Sequence, residues 1–301
     1  MRGQASLNAC ELSLRRMGRI DSLEHFHAQA AGRPFDHARF RLAYPHAAQL
    51  LGHTLATERC FAWENLGAVI DEGDRSLIEI REDGPAGRFK PLAELPAKLS
   101  PLVSSLGEAK RWIMLRDLGR WPEFKGLVEE VLAGIAPVAG PVTGDLLKPV
   151  AFLFVSSPGL LTPLHFDPEY NILFQIAGRK RFSVIPAECG LPGKADNERF
   201  HRTGDNLLPW TPQLAESALH FDMGPGDALH VPFKAAHTVT VGDAPSISLS
   251  VTWRSRDSLL QDDAWAMNGL LARCGVRVPT PGARPWVRAG TLRALRRARI
   301  A

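Results

Sequence analysis

Apolar residues spaced three and four apart predict amphipathic helices over residues 21–31, 45–57 and 123–133. Residues 76–80 read as a short strand among them, and 84–87 and 134–144 as Pro/Gly-rich connections. From Pro149 onward the period changes. Residues 150–155 form a continuous apolar run, the pattern of a strand buried on both faces. Residues 171–176 and 181–185 flank Ala177-Gly178-Arg179, a pattern that predicts a hairpin. Residues 228–232 and 246–253 are again strand-like, the second alternating Ser246, Ser248 and Ser250 with Ile247, Leu249 and Val251. Residues 259–273 return to helical spacing. Helices, then many short strands, then helices predict a β-barrel or sandwich with a helical surround.

Composition narrows the class. With 301 residues, 45% of them apolar and 23% charged, the chain can bury a substantial core as a globular protein. It shows no secretory pattern, and no run approaches the roughly 18 apolar residues of a membrane span, so none is expected. Cys10, Cys60, Cys189 and Cys274 form no paired motif, which suits a reducing cytoplasm and argues against a cysteine-held zinc. The net charge of +4 is a local property. Six arginines and no acid fall in residues 280–301, leaving the remainder at −2. That distribution gives no reason to expect a nucleic-acid partner.

The segment Thr162-Pro163-Leu164-His165-Phe166-Asp167 carries the chemistry. Residues two apart on a strand face the same way, so His165 and Asp167 can present a nitrogen and a carboxylate to one point. With one further histidine they would form a 2-His-1-carboxylate triad, which leaves positions open for a chelating cosubstrate and O₂ on Fe(II). Downstream, Gly224-Pro225-Gly226-Asp227 reads as a tight turn feeding the strand to Pro232, and His237 follows five residues later.

Taken together, His165-Phe166-Asp167, Asn171, Gln175, Gly178-Arg179-Lys180-Arg181, Pro186, the run from Gly226-Asp227 through Pro232 to His237, and residues 248–253 resemble the JmjC/cupin-like 2-oxoglutarate oxygenases. The likeness is to the asparaginyl hydroxylase-like branch and covers about residues 145–255. Tyr44-Pro45-His46-Ala47 stands where Trp-Pro-Ala is common in that family. The resemblance implies a double-stranded β-helix (jelly-roll, cupin-like) core at 145–255. Around it, in one domain, would lie a mixed α/β part at 1–144, a C-terminal helix at 256–279 and a basic tail at 280–301. It implies Fe(II) held by His165, Asp167 and His237, with Thr162, Asn171 and Lys180 binding 2-oxoglutarate, and O₂ as the oxidant. The activity implied is hydroxylation of a protein or peptide side chain, or of a small molecule, with homodimerisation through the C-terminal helix. Two features depart from the family. A tyrosine that binds the cosubstrate's distal carboxylate has no equivalent, Met114 falling near its place, and an asparagine of the last barrel strand is replaced by Val251 or Thr252.

Two other readings stay open on the sequence: a metal cupin that works without 2-oxoglutarate, and a non-catalytic scaffold. The direction of the Lys180 side chain separates the first from the oxygenase. His230 reads as a core histidine, and His25, His27, His37, His46, His53, His201 and His220 as surface residues. Residues 188–221 are long for a loop and read either as a lid or as a decoration of the barrel. The arginine-rich tail reads as disordered in preference to a basic amphipathic helix.

Overall fold

In the computed structural model the residues described are 34–83, 89–108, 110–276, 278–281 and 285–298. The helix expected at 21–31, the connection at 84–87, and His25 and His27 lie outside them. The helices are α1 (His37–Ala43), α2 (Trp63–Glu72), α3 (Ser100–Ser104), α4 (Pro122–Thr143), α5 (Lys194–Thr203), α6 (Pro212–Ser217), α7 (Arg256–Arg273) and α8 (Pro285–Arg297). The strands are β1 (Gln49–Gly52), β2 (Ile78–Asp83), β3 (Phe89–Pro91), β4 (Arg111–Leu115), β5 (Leu147–Ser156), β6 (Leu161–His165), β7 (Tyr170–Ala177), β8 (Lys180–Val184), β9 (Leu219–Met223), β10 (Asp227–Val231), β11 (His237–Val241) and β12 (Ser246–Arg254).

They form two antiparallel sheets, a major one in the order β1-β10-β7-β12-β5-β4-β2-β3 and a minor one in the order β6-β11-β8-β9. Alternation along β12 shows how the layers are made. Ile247, Leu249, Val251 and Trp253 face outward into a large apolar cluster with α4, α2 and α1. Ser246, Ser248, Ser250 and Thr252 point into the lumen between the sheets, and both rows are buried. The lumen has its own smaller cluster, with Leu173, Leu229 and Val231 from the major sheet and Phe182, Val184, Phe221 and Met223 from the minor. This is the jelly-roll core expected from the sequence.

Four local expectations are overturned. β7 and β8 are not a hairpin, because they belong to different sheets. Gly178 turns the corner at φ +68°, and a Cβ there would lie 2.3 Å from the Pro245 carbonyl oxygen. Residues 45–57 hold the strand β1 rather than a helix, since pairing of Leu51 with Ala228 outweighs a local periodicity interrupted by Gly52. The 134–144 connection is the second half of α4. Pro137 and Pro141 sit on its exposed side, where water can serve the carbonyls that lose a donor. By length and composition α4 could cross a bilayer, but Phe124, Val128, Val131, Ile135 and Val138 of one face lie in the core. Finally, the basic tail contains α8, docked on α7 by buried Ala289 and Leu292 and by Arg293 and Arg296 at 2.6 and 3.0 Å from Asp263.

Candidate metal centre

The triad lies at one end of the lumen. His237 opens β11 and pairs with His165, which closes β6, while Asp167 follows two residues on. One ligand atom from each of the three lies within 4.8 Å of the others. His165 Nε2 and His237 Nε2 stand 3.7 and 3.6 Å from Asp167 Oδ2. Each imidazole is oriented by its other nitrogen. His165 Nδ1 is 2.8 Å from the Pro163 carbonyl oxygen, and His237 Nδ1 is 2.9 Å from that of Ala235. A carbonyl can only accept, so both Nδ1 atoms carry the proton and both Nε2 lone pairs are free to ligate. Burial and the neighbouring His165 push the His237 pKa down to about 4, against the pull of Asp167, so this ring is neutral at physiological pH. The side chains of His165 and His237 are 15% and 5% exposed and that of Asp167 is 38%, so the approach lies on the carboxylate's side. Two imidazoles and one carboxylate on one point are a donor set that fits Fe(II) with open positions.

A bulge brings Thr162 to the same face. His237 pairs with His165 but Val239 with Thr162, so three steps of β6 oppose two of β11. Thr162 therefore shares the lumen face with Val239 and His165, and its carbonyl accepts from Thr238 Oγ1 at 2.6 Å. Asn171 faces the lumen from β7, its Oδ1 accepting from Ser250 at 2.8 Å. Gln175 is fully engaged. Its Nε2 donates to Ala177 and Gly178 carbonyls and to Ser246 Oγ, and its Oε1 accepts from Ser248, so it holds the corner after β7.

Lys180 shares the parity of Phe182 and Val184 and is opposite Met223 and Val241, which places it on the lumen wall. It is 6% exposed, and no side chain among the described residues forms a hydrogen bond or ion pair with it. Desolvation alone brings its pKa down to about 7. Along β11 its partner Val241 is four residues from His237, a rise of about 13 Å at ~3.3 Å per residue. A hollow of about 340 Å³ lined by Leu132, Ala136, Gly140 and Pro149 contains no residue of this site.

Residues 104–258, slightly over half the chain, match the family described as a cupin-like domain. The chain belongs to this cupin-like family. It is 33% identical over 102 residues to the Jumonji C domain-containing protein 5 of Drosophila melanogaster, a match that covers 32% of this chain and 25% of that protein. Among solved structures it is similar to the ribosomal oxygenase YcfD of Escherichia coli, at 13% identity and a TM-score of 0.47 over 86% of this chain and 66% of that one. A structure of YcfD in complex with cobalt and 2-oxoglutarate gives 16% identity, a TM-score of 0.47 and coverage of 87% and 65%. The chain thus spans about a quarter of the curated relative and just under two thirds of these solved chains.

Around this cupin-like centre the structure adds residues that the sequence did not single out. Asn206 Nδ2 donates to the Phe166 carbonyl at 2.9 Å and lies 3.4 Å from Asp167 Oδ1. Leu207 bridges to His165, so part of the 188–221 segment seals the β6 edge beside the triad. Lys234, Asp262, Arg254 and Glu169 form a charged chain behind Asp167. Burial raises the Glu169 pKa against the pull of Arg254. Of the histidines expected at the surface, His53 is buried and His201 is half-buried. His53 accepts from the Leu55 N–H and bonds the Gln175 carbonyl, while His201 packs beside Asp262. Each shows only a lone His in the sequence, and the partners are remote in the chain. His230 points to the outer layer among Phe40, Tyr44 and Trp253, the core histidine expected.

Proposed function

We propose that the protein is an Fe(II)- and 2-oxoglutarate-dependent oxygenase, a hydroxylase of a protein or peptide side chain or of a small molecule. The observation that carries the reading is Lys180, a buried cation that has no partner among the described residues and stands on the same lumen wall as the triad. A desolvated, unpaired ammonium is costly unless an anion completes it, and a carboxylate does so. Its direction favours this reading over the cupin that works without 2-oxoglutarate.

In this reading His165, Asp167 and His237 hold the metal, and Lys180 takes the distal carboxylate with Thr162 beside it. Asn171, fixed by Ser250, orients the cosubstrate's other end. Bound iron supplies the redox chemistry of O₂. The chain's own residues keep the His237 imidazole neutral, wall the lumen with the apolar cluster around Leu173 and Phe182, and leave the Asp167 side open to substrate. The relatives' names support the class: one is a ribosomal oxygenase, and one of its structures holds cobalt and 2-oxoglutarate. We extend the proposal to a homodimer formed along α7, where Leu259, Leu260, Trp265, Leu270 and Leu271 stay partly exposed.

The test needs no substrate. Fe(II) and 2-oxoglutarate are added to the anaerobic protein and the weak visible charge-transfer band is read. A band that His165→Ala abolishes and Lys180→Ala weakens is the expected result. Iron bound without a band points to the cosubstrate-independent cupin, and no metal bound at all leaves the scaffold.

A further inference from the structure

The turn that delivers His237 to the triad contains an unexpected residue. Phe233 and Lys234 form its middle, closed by the Ala235 N–H on the Pro232 carbonyl at 3.1 Å, and Lys234 has φ +58°. Glycine or asparagine suits that conformation, and a lysine is strained there. The lysine is used at both ends. Its backbone N–H donates to the carbonyl of Asp167 at 3.1 Å. Its side chain is buried between α5 and α7, with Nζ 2.9 Å from Asn197 Oδ1 and 3.0 Å from Asp262 Oδ1. Asp262 also binds Arg254, which reaches Glu169 at 3.5 Å, two residues beyond Asp167. One carboxylate on α7 thus ties the chain after Asp167 to the chain before His237.

We propose that Lys234 and Asp262 are positioning residues that set the spacing of Asp167 and His237 for the metal, an inference that rests on the metal-centre reading above. The logic is geometric. Ala235, the residue after Lys234, carries the carbonyl that orients the His237 ring, so a shift of Lys234 moves one ligand's orienter and the other ligand's backbone together. Buried ion pairs are seldom more stabilising than apolar residues of the same volume. What this one supplies is a side-chain brace between two loops whose other direct tie is the single backbone bond from the Lys234 N–H to the Asp167 carbonyl. A chain without such a tie would still fold, and its ligands would be looser.

The probe is Co(II) alone, titrated into the metal-free full chain, with affinity and the d–d absorption envelope as readouts. Lys234→Gly keeps a residue suited to the left-handed turn and removes only the anchor. Asp262→Asn keeps shape and removes charge. Arg181→Gln, on the outer face of β8, is the control. Wild type and Arg181→Gln are expected to bind Co(II) alike. Lys234→Gly and Asp262→Asn are expected to bind about 10- to 100-fold more weakly, with an altered envelope, while their circular dichroism stays that of the wild type. Wild-type affinity and envelope in a folded Lys234→Gly protein would overturn the proposal while leaving the metal centre intact. Failure of the wild type to bind Co(II) would overturn the metal centre, and this inference with it. Should Lys234→Gly fold poorly, Asp262→Asn decides by the same two readouts.

Discussion

The two faces of β12 are equally buried and opposite in chemistry. Outward, Ile247, Leu249, Val251 and Trp253 are closed off by helices in a layer with no site residue in it. Inward, Ser246, Ser248, Ser250 and Thr252 line a lumen whose far wall carries Lys180 and whose open end carries the triad. The outer face obeys the rule that burial is apolar. The inner face breaks it, and the break is graded. Ser246, Ser248 and Gln175 satisfy one another, whereas Lys180 has no partner among the described residues. A satisfied polar network is compatible with stability alone. An unsatisfied cation is not, and such exceptions collect where binding must be strong.

The largest expected effect breaks that comparison at its sharpest point. Lys180→Met removes the unpaired charge and roughly keeps the volume. Affinity for 2-oxoglutarate should fall roughly 300-fold, the loss of one partner from a buried charge pair. The melting temperature of the ligand-free protein should rise, because the desolvated ammonium destabilises it. Calorimetric titration and thermal unfolding read the two. A lower melting temperature would mean that Lys180 is a structural cation after all. Leu249→Ala should do the reverse on the outer face. It should cost about 3 kcal/mol in denaturant unfolding and leave the folded protein's affinity unchanged. A change in that affinity would show that the two faces are not separable.

How much of this was legible follows from what kind of contact fixes each residue. β5, β7, β8, β10 and β12 were readable because burial on one or both faces leaves a period in the sequence, whereas β9 lies inside the 188–221 segment that reads as a loop and β11 did not stand out. His165 and Asp167 were readable from their spacing of two, while Lys180 stood out only through the family resemblance. The β7–β8 corner was misread because Ala177-Gly178-Arg179 suits a hairpin locally, and only the approach of Pro245 from another loop makes it a corner between sheets. β1 was misread as a helix because its pairing partner lies some 180 residues away in β10. The same reason hides Lys234 and Asp262. Nothing near either residue in the chain announces the other, and only the docking of α7 brings them to 3.0 Å. The arginines of α8 looked like a free tail until Asp263 met Arg293 and Arg296.

A pH series sharpens the inner face. The free Lys180 has its pKa lowered to about 7 by burial, below the roughly 10.4 of an unfolded lysine. The folded state therefore binds fewer protons than the unfolded one between these values, and ligand-free stability should rise as pH goes from 7 towards 10. Binding runs the other way. A dicarboxylate prefers the protonated lysine and raises its pKa, so affinity should be flat below pH 7 and fall about tenfold per unit above it. His237, at about 4, contributes nothing in that range. Titrations at fixed metal loading from pH 6 to 9 measure the slope, and Lys180→Met should abolish it. A slope that persists in Lys180→Met would move the titrating group elsewhere in the lumen.

The smallest effect tests the serines. Ser248 Oγ donates to Gln175 Oε1 at 2.7 Å, and Ser248→Ala leaves that oxygen without its donor. The cost should be about 1 kcal/mol of stability, that of one buried hydrogen bond, with 2-oxoglutarate affinity within twofold of wild type. That outcome would separate the inner wall into a self-satisfied polar row that shapes the lumen and a single cation that binds. A several-fold loss of affinity at unchanged stability would instead mean that Ser248 turns its hydroxyl to the ligand. Gln175 Oε1 would then lack its donor while Nε2 still holds the Gly178 corner, and the polar row would belong to the binding site.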